Sequence, residues 1–383
     1  MKFGAYILVA ALVLAGCNEK SKVIDPSTLP QGSQGQAIND TTYIQVQPAW
    51  GGYVHPGSII IGYDYLLYVT EPDSNRVQMV ELSGTSVGRS GYIKSPRGIA
   101  EDRRFNLIIT CEYDTTVNGQ VYTVAAIAKI RLFNYDHDIA GAPVVIVHHE
   151  GIQNKIVRDA GGNLISGREY TGVAVLPDNS YYVERHGSNN SSPVDPDNMI
   201  LHFNEADQQY PSTYINLVPA LPPTGTGLTS INELSNITTF NTIQYGTDFI
   251  ATQTDPANAF KVKWLTFNPG SELIAPAWNS KFSLDPTKYS SGKLPAIITP
   301  GTFTSPQAVM VDDRSNIFVV DSRLDSLMKF NSNGDLLHES FGPVKSSNAL
   351  LDPSGITYFN HIVYISDTGH DRILRYELST DIH

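Results

Sequence analysis

Cysteine is almost missing from this chain, with two in 383 residues. A disulfide framework is therefore excluded, and the fold must be held by a packed core. Basic runs are missing too: 26 Lys and Arg stand against 38 Asp and Glu, a formal charge of -12, and nowhere do Lys and Arg cluster. Nucleic acid and an anionic membrane surface are thereby excluded as partners, because each needs a basic patch. Cationic ligands, metal ions, neutral saccharides and peptides stay compatible. Long apolar runs are lacking as well, since no stretch approaches the roughly 20 residues of a spanning helix. There is no P-loop, G-x-S-x-G, H-E-x-x-H or C-x-x-C. Sites assembled from distant segments leave no such local mark.

What is present begins with a processing segment. Lys2 supplies a positive start, residues 5–14 form an apolar stretch, and Leu14-Ala15-Gly16-Cys17 resembles a bacterial lipobox. Residues 1–16 are expected to be a lipoprotein signal peptide, removed to leave Cys17 lipidated. Asn18 follows the cysteine where Asp would signal retention at the inner membrane. The expected location is therefore the bacterial cell envelope, at the outer membrane, with the lipid as the membrane contact. Cys111 is then left alone in the apolar run LIITCE and reads as a small buried hydrophobe. Residues 17–41, rich in Pro, Gly, Ser and Gln, read as a tether with a mean reach of roughly 25 Å.

Residues 42–383 read as one domain, because a single unit can be laid down six times. Two adjacent copies are plainest: SPQAVMVDDRSNIFVVDSRLDSLMKF (305–330) and DPSGITYFNHIVYISDTGHDRILRY (352–376), with Pro306 and Pro353 47 residues apart. Each has an apolar strand, a tight polar turn, a second strand ending in Asp-Ser or Asp-Thr, and a third ending in an aromatic. A strand-only unit at such a period predicts a propeller. First strands follow residues 56, 96, 171, 235, 306 and 353. Blades two to five offer fourth strands (APVVIVHH, TYINLV, ELIAPAW, LLHESF), but the sixth unit ends without one. The spare strand TYIQVQ (42–47) alternates with period 2 and is expected to pair with residues 372–378, closing an edge that would otherwise invite aggregation. The predicted fold is all-β: a six-bladed β-propeller of four-stranded blades, its last blade closed by the N-terminal strand.

These units resemble NHL repeats, whose pattern is approximately P-x-G-[IV]-A-V-D-x-x-G-N-[IV]-Y-V-[AT]-D-[ST]-x-N-x-R-[IV]-x-x-F. Pro306, Val309, Asp312, Asn316, Val319, Asp321, Ser322 and Phe330 match in the fifth unit. In the sixth the matches are Pro353, Gly355, Ile356, Tyr364, Asp367, Thr368, Gly369, Arg372 and Ile373, and in the second the run Pro96-Arg97-Gly98-Ile99-Ala100. Units three and four match by spacing alone. The resemblance implies a platform for protein, RNA or small ligands or, in relatives, a metal-dependent lactonase or lyase. Similarity to the amidating lyase is disfavoured, as that relative is disulfide-stabilised.

Unequal spacing points to a working face. Extra residues fall between strands two and three (113–124, 185–198) and between blades (151–169, 219–231, 279–304), junctions expected on one side of the ring. On that side strand two ends in Glu71, Glu112, Glu184, Gln253, Asp321 and Asp367. Counting back from the third strand gives Arg76, Lys129 and Arg372 as partners of Glu71, Glu112 and Asp367, and no cation for Glu184 or Asp321. Glu184 and Asp321, helped by Arg185 and His186, are the candidate ligand-site and metal residues; a turn-capping Asp321 and a solvated Glu184 are the alternative. Arg97 is placed on the same face, facing an anion or linking blades. His148-His149-Glu150 looks like a ligand set, but strand neighbours point apart. Two functions stay open. The first is a lipid-anchored binding propeller taking a small molecule, saccharide, peptide or protein on the looped face, with no cofactor. The second is a hydrolase or lyase resembling gluconolactonase or virginiamycin lyase, which implies a divalent cation such as calcium.

Overall fold

A short polar turn is the most regular element of the chain. Asp102 Oδ1 accepts the amides of Arg104 and Asn106, and Asp102 Oδ2 accepts the Asn106 amide side chain, at 2.8–3.0 Å. Asp312 makes the same bonds to Arg314 and Asn316, at 2.8–2.9 Å. An Asx turn of this kind reverses the chain between strands one and two, and it recurs in two of the repeated units. The structure is a computed structural model that describes residues 41–152, 156–158, 162, 164–192, 195–210, 227–240, 246–271, 273, 277–342 and 349–381. The leader, Cys17 and nearly all the tether lie outside the described residues, as does the expected strand TYINLV.

Six antiparallel sheets follow one another around an axis. The first blade is Ile59–Ile61, Leu67–Glu71, Arg76–Val80 and Ser86–Arg89. The second is Ile99–Glu101, Asn106–Val117, Gln120–Arg131 and Val144–His149. Arg168–Val175, Tyr181–Gly187 and Met199–Phe203 make the third, with an outer bridge from Phe203 to Gln209. The fourth is Leu234–Thr239, Phe249–Gln253, Val262–Asn268 and Ala277–Ser280. The fifth is Pro306–Val311, Ile317–Asp321 and Ser326–Phe330, its outer position held by bridges from Leu327 to Phe341 and Phe330 to Leu336. Pro353–Phe359, Ile362–Asp367 and Arg372–Leu378 complete the sixth.

The outer ribbon of the sixth blade is Tyr43–Trp50, with Tyr43 opposite Leu378 and Gln45 opposite Tyr376. The expected clasp is therefore found, and it is anchored by side chains. Arg375 lies 4.3 Å from the Trp50 ring centroid and donates to the Pro48 carbonyl at 2.9 Å. Tyr43 and Trp50 are buried.

Apolar clusters fill the spaces between neighbouring blades, for example Tyr68, Met79, Ile99, Leu107 and Ile130 between the first and second. A second device joins blades at the looped face. The Asn75 carboxamide accepts the Ser95 amide (2.9 Å), Asn198 that of Glu233 (2.9 Å), Asp325 that of Asp352 (3.0 Å) and Asp371 that of His55 (2.7 Å). Each acceptor ends a strand-two-to-three turn, and each donor begins the next blade. Asn75, Asp325 and Asp371 have positive φ, which Asn and Asp tolerate best among side-chain-bearing residues.

Nearest the axis the inner strands almost touch. A Cβ on Gly98 would lie 2.7 Å from the Thr171 carbonyl and 2.9 Å from the Gly172 Cα, so the glycine of the repeat is required by the neighbouring blade. One insertion departs from the expected placement. Residues 279–304 do not gather with the other loops: Ile297 and Ile298 bury against Trp264 and Phe330, and the Ile297 amide donates to the Gly334 carbonyl in the strand-three-to-four turn. This segment fills the groove between blades four and five down to the opposite face.

Candidate functional site at the throat of the looped face

Backbone register assigns the ring of strand-two residues. Ile59 pairs with Val69, Ile99 with Ile109, Val173 with Val183, Ile237 with Ala251, Val309 with Val319 and Ile356 with Ile365. Two residues further on, the equivalent positions are Glu71, Cys111, Arg185, Gln253, Asp321 and Asp367. Glu112 and Glu184 belong to other rings, because blades two and three are out of step by one residue with the strand-end alignment read from sequence.

The true ring is structural. Asp321 is fully buried and its carboxylate accepts the amides of Thr304 (2.6 Å), Ser305 (3.0 Å), Arg323 (3.1 Å) and Leu324 (3.1 Å). It caps the loop entering its own blade, so its charge is met by N–H groups, and among the described residues it forms no salt bridge. Glu71 takes the Val54 amide, Gln253 that of Asn232 and Asp367 that of Leu351 in the same manner. Asp367 also pairs with Arg372 at 2.6 Å, as expected, and with His370. The other two expected pairs are replaced. Glu71 lies 3.7 Å from Arg89, with Arg76 exposed, and Glu112 lies 3.5 Å from Arg97. Lys129 is buried and pairs with Asp207.

Arg185 and Arg168 form a buried network beside the throat. Arg185 donates to Glu150 (2.9 Å), Asp195 (2.6 Å) and the carbonyls of Pro196 and Asp197. Arg168 reaches Glu150 (3.3 Å), Asp195 (2.8 Å) and Asp197 (2.9 Å), while Tyr170 donates to Glu150 at 3.0 Å. Burial pushes Glu150 up, but the two guanidinium groups outweigh it and hold the carboxyl below the usual range. Arg185, buried and bonded to four partners, thus ties down the loop that follows strand two. Arg97 bridges Glu112 and, at 3.1 Å, Glu169 of the next blade, which is the linking role and not an open anion site. His186 is half-buried opposite Glu169 in the sheet, and among the described residues its Nδ1 has no hydrogen-bond partner. Of the pair His148 and His149, the first stacks on Tyr170 and Phe203 and the second packs against Tyr113, so they diverge. Burial pushes the Cys111 thiol up to about 12, leaving it inert.

Glu184 stands apart from all of these. Its register position is held in the other blades by Thr70, Thr110, Thr252, Val320 and Ser366. Several of those hydroxyls bond the adjoining blade: Thr70 donates to the Arg97 carbonyl at 2.9 Å, and Thr252 joins Ser235, which donates to the Pro306 carbonyl at 2.7 Å. In blade three a carboxyl replaces the hydroxyl. Glu184 is fully buried; one oxygen receives Thr171 at 3.4 Å, and among the described residues the other has no partner. Desolvation raises its pKa well above the ordinary carboxylate value, which favours the neutral acid. Glu184 is therefore a buried carboxyl between two blades, and the solvated Glu184 of the alternative is not what the fold holds.

The six inner strands enclose an axial cavity of about 220 Å³. Sequence reasoning missed one residue on its wall. At the far end, equivalent positions are Ile61, Glu101, Val175, Thr239, Val311 and Tyr358. Glu101 is the ionisable carboxyl in this ring. The signal was available, since Ala100-Glu101-Asp102 puts an acid where the repeat pattern has A-V-D.

Among the described residues, no group of three or more His, Cys, Asp or Glu side chains is arranged to hold a metal ion. No protein-family model matches the chain, and no curated protein does. Solved structures do match in shape. The PQQ-bound aldose sugar dehydrogenase of Streptomyces coelicolor is 12% identical, covering 88% of this chain and 98% of its own, with a TM-score of 0.53. An oxidoreductase of Thermus thermophilus, assigned as a glucose dehydrogenase, is 14% identical over 88% of this chain and 100% of its own, TM-score 0.53. A structure assigned as a gluconolactonase is 9% identical over 89% and 93%, TM-score 0.51. At these identities the likeness establishes the six-bladed β-propeller fold.

Proposed function

We propose that this chain is an extracytoplasmic recognition propeller, held to the outer membrane by lipid on Cys17, that uses its looped face to take a saccharide, peptide or protein. The observation behind the reading is the central hairpin of blade two. Its strands Asn106–Val117 and Gln120–Arg131 stay paired for six residue pairs past Cys111 and Ala126, from Glu112 opposite Ala125 to Val117 opposite Gln120. At about 3.4 Å per residue this raises a ribbon of roughly 20 Å above the ring. A second hairpin, Ile156–Arg158 with Leu164–Ser166, widens it by pairing Ile165 with Thr123. Lys94 braces the base through Asp114 (2.6 Å) and Thr123 (3.0 Å). A braced wall with exposed Tyr113 and Val121 beside the throat suits recognition of an extended neutral or cationic ligand.

The NHL label belongs to the same reading, as does the absence of nucleic acid among the partners. The test is a thermal-shift screen of defined cell-wall oligosaccharides and peptides against the chain and against a variant with residues 113–124 replaced by a two-residue turn. A ligand that stabilises the parent and loses its effect in the shortened variant supports the reading; equal stabilisation of both contradicts it.

A second reading, a hydrolase or lyase of the kind that several propellers of this fold represent, draws on Glu184, whose raised pKa suits a general acid once the strands that enclose it open to a substrate. It would take that proton donor and not a metal centre as its starting point. Turnover of a sugar lactone lost in Glu184→Gln, with folding retained, would favour it.

A further inference from the structure

The axial cavity ends, away from the looped face, at a carboxyl group that has no ion-pair partner among the described residues. Glu101 is 7% exposed and lines the cavity as the last residue of its inner strand. Its Oε2 accepts the Tyr63 amide at 2.5 Å, while among the described residues its Oε1 is buried with no hydrogen-bond partner. Such an oxygen forfeits its hydration unless something else occupies the space beside it. The inner strands each sit at the end of a sheet. Their free edges therefore turn backbone N–H and C=O groups toward the axis, and the cavity is lined by these polar groups, with Thr238 and Thr357 among its side chains.

We propose that this end of the cavity binds a primary ammonium group carried on a small hydrophilic molecule, with Glu101 as its anchor. An ammonium has three donors and no acceptor. One N–H meets Glu101 Oε1, and strand-edge carbonyls and threonine hydroxyls take the others. A divalent metal fits less well, because the neighbouring acids are already engaged. Asp64 accepts Leu66 and Tyr68 and pairs with His137, and Asp102 accepts Arg104 and Asn106. One free carboxyl oxygen falls short of the six or so that calcium gathers. The site is at the opposite end of the channel from the looped face and stands independently of the reading above.

Binding must move a proton. Burial, with Asp64 and Asp102 nearby, pushes Glu101 up to about 8 against the lowering effect of the Tyr63 amide. Tyr68 and Tyr63 face the same group, both with raised pKa values, and Tyr358 lines the cavity from blade six. Arg103 lies over the Tyr63 ring, 5.9 Å from its centroid, and forms no ion pair with Glu101. At neutral pH, therefore, an arriving ammonium displaces the carboxyl proton to the buffer, and affinity rises up to tenfold per pH unit until about pH 8.

The experiment is calorimetric titration with ethanolamine, in two buffers of different ionisation enthalpy, against the full chain and Glu101→Gln. Choline, with the same charge but no N–H, and calcium are run alongside. The expected result is ethanolamine binding with release of up to one proton, absent for choline and weakened at least tenfold in Glu101→Gln. A normal thermal melt of the variant shows that it is folded. Failure of ethanolamine to bind, binding unchanged in the variant, or binding of calcium in place of ethanolamine overturns the proposal.

Discussion

The carboxyl of Glu184 fills the space that a side chain on Gly172 would need, its Oε2 lying 2.7 Å from where that Cβ would be. The same Cβ would meet the Ile237 amide at 3.0 Å and the Asn236 Cα at 3.1 Å. The acid is thus enclosed between two inner strands of adjacent blades, with no water shell and one weak donor. A group so placed reduces stability, and residues that do so in a fold otherwise built for it are candidates for function.

Replacing Glu184 by the residue its register calls for should stabilise the protein. Glu184→Thr restores the hydroxyl found at Thr70, Thr110 and Thr252, and a gain of about 1 to 2 kcal/mol is expected in urea unfolding at pH 7. Unchanged or lower stability would mean that the carboxyl is satisfied in a way the contacts do not reveal.

Asp321 should behave oppositely. Its two oxygens accept four amides, so Asp321→Asn turns a donor toward N–H groups and is expected to cost about 3 kcal/mol. A melt within a degree or two of the parent would contradict the structural role and restore Asp321 as a ligand-site residue.

Removal of residues 41–50 opens the ring. The sixth blade loses the partner of Arg372–Leu378, the buried rings of Tyr43 and Trp50, and the cation–π contact of Arg375. A loss of roughly 5 kcal/mol and concentration-dependent association are expected; size-exclusion chromatography and urea titration read both. A monomer of parent stability would show that the clasp is dispensable.

The pH dependence of stability carries the sign of Glu101. Its folded pKa of about 8 exceeds the unfolded value near 4.5, so the native state holds a proton that the unfolded chain has released. Its contribution is complete below about pH 4.5, declines by about 1.4 kcal/mol per unit as pH rises, and is gone above pH 8. Glu101→Gln removes this slope. Lys263 acts in the other direction: burial lowers it to about 7, so its share is present above the unfolded value near 10.5 and lost as pH falls through 7. Comparing Glu101→Gln with the parent between pH 5 and pH 8 separates the two groups.

Much of the fold was legible because propeller blades write local chemistry. The Asx turn at Asp312, the apolar runs of strand two and the spare period-2 strand at Tyr43 each report a contact within a few residues or a need for an edge. Register was not legible in blades two and three. A strand end says that an acid is present, but whether Glu112 or Cys111, Glu184 or Arg185, faces a given neighbour depends on a one-residue offset that only cross-strand pairing fixes. Arg168 and Arg185 were unreadable for a related reason. Their partners, Asp195 and Asp197 in an inserted loop and Glu150 just past the last strand of blade two, come together by a route that no periodicity records. The rim segment 279–304 looked like another top-face loop because its length was visible and its buried Ile297 was not.

The claim on which the site rests is that two buried carboxyls of the propeller, Glu184 between blades three and four and Glu101 on the wall of the axial cavity, are neutral at physiological pH. Infrared spectroscopy of the protonated carboxyl C=O stretch at pH 7, with Glu184→Gln and Glu101→Gln as assignments, tests it. The account requires two protonated bands, the first lost in one variant and the second in the other. A spectrum in which every Glu and Asp is ionised at that pH would contradict it.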